Sequence, residues 1–175
     1  MIATETLILT NIIMWLLVIT HKQSTRDLGN CYLLTIERKE YARLITAAFT
    51  HEHPLHIFMN MYSLWNIGTF LTGFIGNVNI IVVYLLTAFF GHILACYVRK
   101  WQGKGNVLSI GASGSICGLI GVYIILGLKL SAGSGGSFVL SALFPILIMS
   151  FSKRIDTVSH LTCLAVGAIM GYIFI

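Results

Sequence analysis

Gly111-Ala112-Ser113-Gly114-Ser115-Ile116-Cys117-Gly118-Leu119-Ile120-Gly121 sets one serine between glycines and runs straight into an apolar segment. It reads as a hydroxyl at the mouth of a membrane helix. Glycines on both sides of Ser113 remove bulk and let another backbone come close. A serine at a helix N-terminus lies where free backbone N–H groups and the helix dipole favour negative charge. An oxyanion forming beside it would be stabilised. Serine also occurs in membrane helices as packing or as a back-bond to the previous turn, so the rest of the chain must decide its role.

The composition makes the surroundings a membrane. Of 175 residues, 57% are hydrophobic and only 10% charged, and mean hydropathy is +0.87. A soluble domain carries about 25% charged residues. The formal charge of +5 sits in loops, so it sets topology or touches anionic headgroups and gives no reason to expect nucleic acid. Cys31, Cys96, Cys117 and Cys163 show no CxxC spacing, and a disulfide framework is not expected.

Working outward, the sequence predicts an all-α polytopic membrane protein, a single domain over residues 1–175. Six apolar segments fall at about 6–20, 54–74, 78–98, 113–130, 138–151 and 157–175. The first lacks a basic n-region and a small-residue cleavage site, so it is expected to be an anchor, not a removed signal. Residues 21–46 mix charged and apolar side chains, as in a structured loop lying partly in the interface. Pro54 suits the first turn of a helix. Pro145 should kink the short fifth segment, and Asp156 or Thr157 can cap the sixth.

Polar side chains at membrane depth face a protein interior or water. His56 and Asn60 lie four apart on one face of the second segment, and His160 opens the sixth. Taken singly, each reads as interhelical hydrogen-bonding glue. Spacing shifts the balance. Ser113, Cys117 and Gly121 form one narrow face; Cys163, Gly167 and Gly171 form another, on the face that His160 begins. If the two faces pack, His160 can meet Ser113 and activate it as a nucleophile. His56, Asn60 and the Ser113 N–H could then donate to an oxyanion. No metal is expected: His51-Glu52 resembles the start of HExxH, but the second histidine comes one residue late, at position 56, and Pro54 intervenes. Asp156, four before His160, could orient it as a triad acid and is better explained as a helix cap.

With these residues laid out, the chain resembles the rhomboid family of intramembrane serine proteases from about Arg43 to Gly171. Gly111-Ala112-Ser113-Gly114 matches the family's glycine-x-serine-glycine motif, which implies Ser113 as nucleophile. His160 matches the histidine of the last helix, implying a Ser–His dyad without a third acid. His56 and Asn60 match the oxyanion-hole side chains. His51 falls where the family has a further histidine, and Arg43 where its first loop has a tryptophan-arginine pair. The departures are Ala42 for that tryptophan, Thr72 for a frequent acidic residue, Cys117 for a frequent aromatic, and Cys163 for a glycine, which predicts a slightly wider gap between the fourth and sixth segments.

The resemblance implies a six-helix core and cleavage of transmembrane segments of membrane proteins through an acyl-enzyme, with no cofactor. It implies unwound substrate helices with a small residue before the cut. It also suggests the fifth segment as a lateral gate. The partners implied are transmembrane substrates and the lipid bilayer, with neither nucleic acid nor metal; the membrane would be the plasma membrane in a bacterium. Two other readings remain: an inactive rhomboid-like client-binding protein, against which both dyad residues argue, and a small transporter, for which internal repeats or paired broken helices are expected and not seen. Ten of eleven Lys/Arg lie in loops on the side of Ser113. That bias puts the site on the cytoplasmic face, whereas the family usually opens outward.

Overall fold

The computed structural model describes residues 2–22, 24–130 and 156–175. The expected fifth segment, Pro145 and the gate assigned to it lie outside the described residues. Six α-helices are described: α1 (Ile2–Thr20), α2 (Thr25–Leu28), α3 (Arg43–Thr46), α4 (Pro54–Trp101), α5 (Ser113–Leu130) and α6 (Thr157–Phe174). Four of them are long and apolar enough to cross a membrane. No strand occurs among the described residues; the sole bridge joins Asn30 to Ser109.

The 48-residue α4 is two spans joined at one residue. As one straight rod it would run about 72 Å. Gly76 breaks it with φ 78°, ψ 165°, a backbone shape that glycine adopts without a Cβ penalty. The two halves then run back alongside each other. His56, near the start, lies against Gly111, while Arg99, near the end, donates to the Val107 carbonyl at 2.7 Å. Both ends therefore meet the α4–α5 loop, and the break falls between the second and third segments that the sequence predicts.

In lipid there is little hydrophobic drive between helices, so close packing and hydrogen bonds hold them together. α5 and α6 make the closest pair. A Cβ placed on Gly167 would come within 1.9 Å of the Gly118 carbonyl oxygen, and one on Gly121 within 2.4 Å of the Leu164 carbonyl oxygen. The Cys163 sulfur packs between two glycines, where a Cβ on Gly91 of α4 would lie 2.3 Å from it and one on Gly114 of α5 3.1 Å. The predicted stripe of α5 faces α6, with Ser113 against His160 and Gly121 against Leu164 and Ala168, while the Cβ direction of Gly118 meets Thr87 of α4. α6 is also tied to α4 by Thr162 Oγ1 donating to the Gly91 carbonyl at 2.9 Å.

α1 starts at Ile2, ahead of the apolar run that announces it, because Thr4 is buried against Gly68. Higher up, Asn11 Nδ2 donates to Tyr84 Oη at 3.1 Å, and Tyr84 Oη donates to the Ala48 carbonyl at 3.0 Å. The outward faces carry large apolar side chains such as Leu9, Leu16, Phe58, Trp65 and Ile169, a surface suited to acyl chains and not to water. Tyr41 and Trp101, on the Ser113 side, are exposed where an interfacial aromatic belt belongs.

The first loop is built, as its mixed composition predicts. It contains α2, a π-turn at Leu33–Glu37 and α3. Ser24 and Asp27 cap α2 reciprocally. Arg43 pairs with Glu40 at 2.6 Å and donates to the Arg26 and Gly29 carbonyls at 2.7 and 2.9 Å. One guanidinium thus closes the loop on itself.

Candidate active site

Ser113 is the first residue of α5, and the approach to it is dictated by Gly111. That residue has φ 102°, and a Cβ there would lie 2.7 Å from His56 Nε2 and 3.3 Å from Asn60 Nδ2. Only glycine meets both demands. The two N–H groups before Ser113 are pinned to the stretch ahead of α4. Gly111 N–H donates to the Ala47 carbonyl at 2.9 Å, and Ala112 N–H to His51 Nε2 at 3.4 Å. The helix then begins, with Ile116 N–H donating to the Ala112 carbonyl. The N–H groups of the first turn point back toward the loop, as at any helix N-terminus.

His160 enters from α6, 47 residues away. Its Nε2 lies 2.8 Å from Ser113 Oγ, and both residues are buried. This is hydrogen-bond distance between a hydroxyl and an imidazole on different helices. Asn60 is 1% exposed, and its Nδ2 has no hydrogen-bond partner among the described residues. A buried donor left unmade is costly, and this one faces the Gly111 turn. His56 lies beside it, its ring packed between His51 (centroids 5.0 Å apart) and His53 (5.7 Å). His53 caps α4, its ring nitrogen accepting from His56 N–H at 3.1 Å. His51 is held well below the ordinary histidine range, at about 3, first by burial and then by the neighbouring His56. A neutral His51 keeps the lone pair that the Ala112 N–H uses.

The sequence-predicted residues therefore fall into three groups. Ser113 and His160 touch. His56, Asn60, His51, Gly111 and Gly114 surround them, with Gly114 packed against Cys163, Ser159 and His92. Arg43 does not reach the site and acts within the first loop. Asp156 caps α6, accepting from Ser159 N–H at 2.9 Å; its carboxylate is taken up by that bond, by Arg99 and by Ser109.

Two buried groups escaped the sequence reading. His92 is 2% exposed and lies behind Gly114, with Nδ1 2.8 Å from the Leu44 carbonyl, which makes Nδ1 the protonated nitrogen. Arg99 is 5% exposed and paired with Asp156. The available signal was an ionisable residue inside or at the end of an apolar span, which by default demands a partner.

A family model described as the Rhomboid domain matches residues 38–175. The chain is 27% identical over 155 residues to RHOMBOID-like protein 5 of Arabidopsis thaliana, covering 86% of this chain and 49% of that protein. It is 31% identical over 152 residues to the mitochondrial RHOMBOID-like protein 6 of the same plant, covering 80% and 46%. With YdcA of Bacillus subtilis, assigned by name to the rhomboid proteases, it shares 28% over 152 residues, covering 85% and 74%. The chain thus spans about half the length of these plant relatives. A domain match over most of the sequence, on apolar helices long enough to cross a bilayer, makes this chain a membrane protein of the rhomboid family.

Proposed function

We propose that the chain is an intramembrane serine endopeptidase that cuts transmembrane segments through a Ser113–His160 dyad. The observation that supports this most is the 2.8 Å approach of His160 Nε2 to Ser113 Oγ. Ser113 Oγ attacks the scissile carbonyl carbon while its proton passes to His160 Nε2. The oxyanion takes hydrogen bonds from the Ser113 N–H, from Asn60 Nδ2 and from His56. Collapse breaks the C–N bond, and His160 returns the proton to the leaving amine. Water then attacks the ester, His160 takes its proton, and Ser113 is regenerated.

The substrate must offer an unwound stretch, because a regular helix hides its carbonyls in hydrogen bonds. Single-span membrane proteins with a helix that loosens near its end are the proposed substrates. In a bacterial host the bilayer would be the plasma membrane. The test is reconstitution in vesicles with a model transmembrane substrate. Wild type is expected to cleave it, and Ser113→Ala and His160→Ala are expected not to. Equal turnover by all three refutes the assignment; no turnover by folded wild type favours a client-binding protein.

A further inference from the structure

Both members of the dyad hang from one charge pair whose side chains neither of them hydrogen-bonds. Arg99, at the end of α4, is paired with Asp156, and both side chains are largely withdrawn from solvent, at 6% and 15% exposure. Arg99 Nη1 also donates to the Val107 carbonyl at 2.7 Å and to Ser109 Oγ at 3.1 Å. Ser109 Oγ in turn donates to the other oxygen of Asp156. Ser109 lies four residues before Ser113. Asp156 lies four residues before His160, and its carbonyl accepts the His160 N–H at 3.0 Å.

The pair therefore ties down the loop that delivers the hydroxyl and the helix that delivers the imidazole, each four residues before the reacting side chain. A third strand of support is the first loop. Asn30 N–H donates to the Ser109 carbonyl at 2.9 Å, and Ser109 N–H to the Asn30 carbonyl at 2.7 Å. Asp156 cannot serve as a triad acid here. Its oxygens are occupied by Arg99, Ser109 and the Ser159 N–H, and it lies a turn back from the His160 ring.

We infer that Arg99, Asp156 and Ser109 form a strut that positions His160 against Ser113. The inference rests on the serine-protease reading and names positioning residues, not catalytic ones. Breaking the strut frees the α4–α5 loop and the start of α6 to move independently. A shift of about 1 Å between reacting groups can lower a rate on the order of 100-fold.

The experiment uses the full chain in detergent micelles and in vesicles. A fluorophosphonate probe reports the dyad directly: the serine oxygen displaces fluoride from phosphorus without any transmembrane segment having to enter. Asp156→Asn keeps a good helix cap and removes the charge. Labelling rate, kcat and KM are measured per folded molecule, so lost stability alone leaves them unchanged. Asp156→Asn and Arg99→Gln are each expected to slow labelling and kcat by about tenfold or more, with KM within about twofold. The double variant is expected to be no slower than either single one, because both cut the same tie. Ser109→Ala, which leaves cap and charge pair in place, should give a smaller loss of the same kind.

Labelling at the wild-type rate in Asp156→Asn and Ser109→Ala overturns the strut, whatever happens to their unfolding. Failure of the wild type itself to label, with Ser113→Ala as blank, instead removes the protease reading and the strut with it.

Discussion

Replacing Gly167 by alanine tests whether the dyad depends on the α5–α6 contact. The new Cβ would lie 1.9 Å from the Gly118 carbonyl oxygen, and its next neighbours are also Gly118 backbone atoms, at 2.5 and 2.6 Å. No side chain can rotate away, so the helices must part. Reaching ordinary contact near 3.4 Å requires a shift of roughly 1.5 Å at that level. Gly167 lies about two turns, or roughly 10 Å, below His160. If half the shift reaches the dyad, the 2.8 Å Ser113–His160 separation opens to about 3.5 Å, the outer edge of a hydrogen bond. The expected result is a fall in kcat on the order of 100-fold and a loss of about 3 kcal/mol in stability, the upper end for overpacking. Cleavage of a transmembrane reporter in vesicles gives the first, and unfolding monitored in mild detergent gives the second. Gly73→Ala is the control, because a Cβ there meets nothing within 4 Å, and its activity should match wild type. A Gly167→Ala protein with wild-type turnover and stability would refute the reasoning.

Asn60→Ala removes a buried amide donor that has no partner among the described residues, so the folded protein should be no less stable. Turnover should still fall about 100- to 1000-fold if that donor serves the oxyanion; unfolding and cleavage assays on one preparation separate the two effects. Gly111→Ala forces a side chain to φ 102° and into His56; it should cost at least about 1–2 kcal/mol from the backbone alone and eliminate cleavage. His51 binds its proton more weakly folded, near pH 3, than unfolded, near pH 6.5. Its neutral form therefore contributes stability that is complete above about pH 6.5 and is lost as pH falls toward 3. His51→Gln should destabilise the protein at pH 7.5, and its deficit relative to wild type should shrink by pH 4 in unfolding titrations; a deficit that grows on acidification contradicts the assignment.

The contact between Ser113 and His160 was legible because its signals are local and rare. A serine between glycines at the head of an apolar run, and one histidine at the head of another, leave few alternatives once small residues mark both faces. The break in α4 was legible only as the gap between the apolar runs at 54–74 and 78–98, within which Gly76 falls. Arg99 was not. It stands in an Arg-Lys pair at a helix end, where basic residues usually set topology, and its carboxylate partner is 57 residues further on. Nothing local distinguishes a buried, paired arginine from a solvated one. His92 was hidden similarly, since its partner is a backbone carbonyl at Leu44 and carbonyls leave no mark in sequence. The small-residue stripe of α5 was legible too, since Ser113 and Gly121 meet α6; that Gly118 makes room for Thr87 of α4 was not, because a second glycine in the same helix carries no mark of which neighbour it admits.

The exposed Gly76 joint has a practical use. With solvent on its outer side, the joint is a natural place to insert, beside the retained glycine, a small folded reporter or a glycan acceptor. Both spans of α4 would still start and finish where they do now. Because that joint and the serine lie at opposite ends of the bundle, such a graft would report, by which compartment modifies it, toward which face of its membrane Ser113 lies.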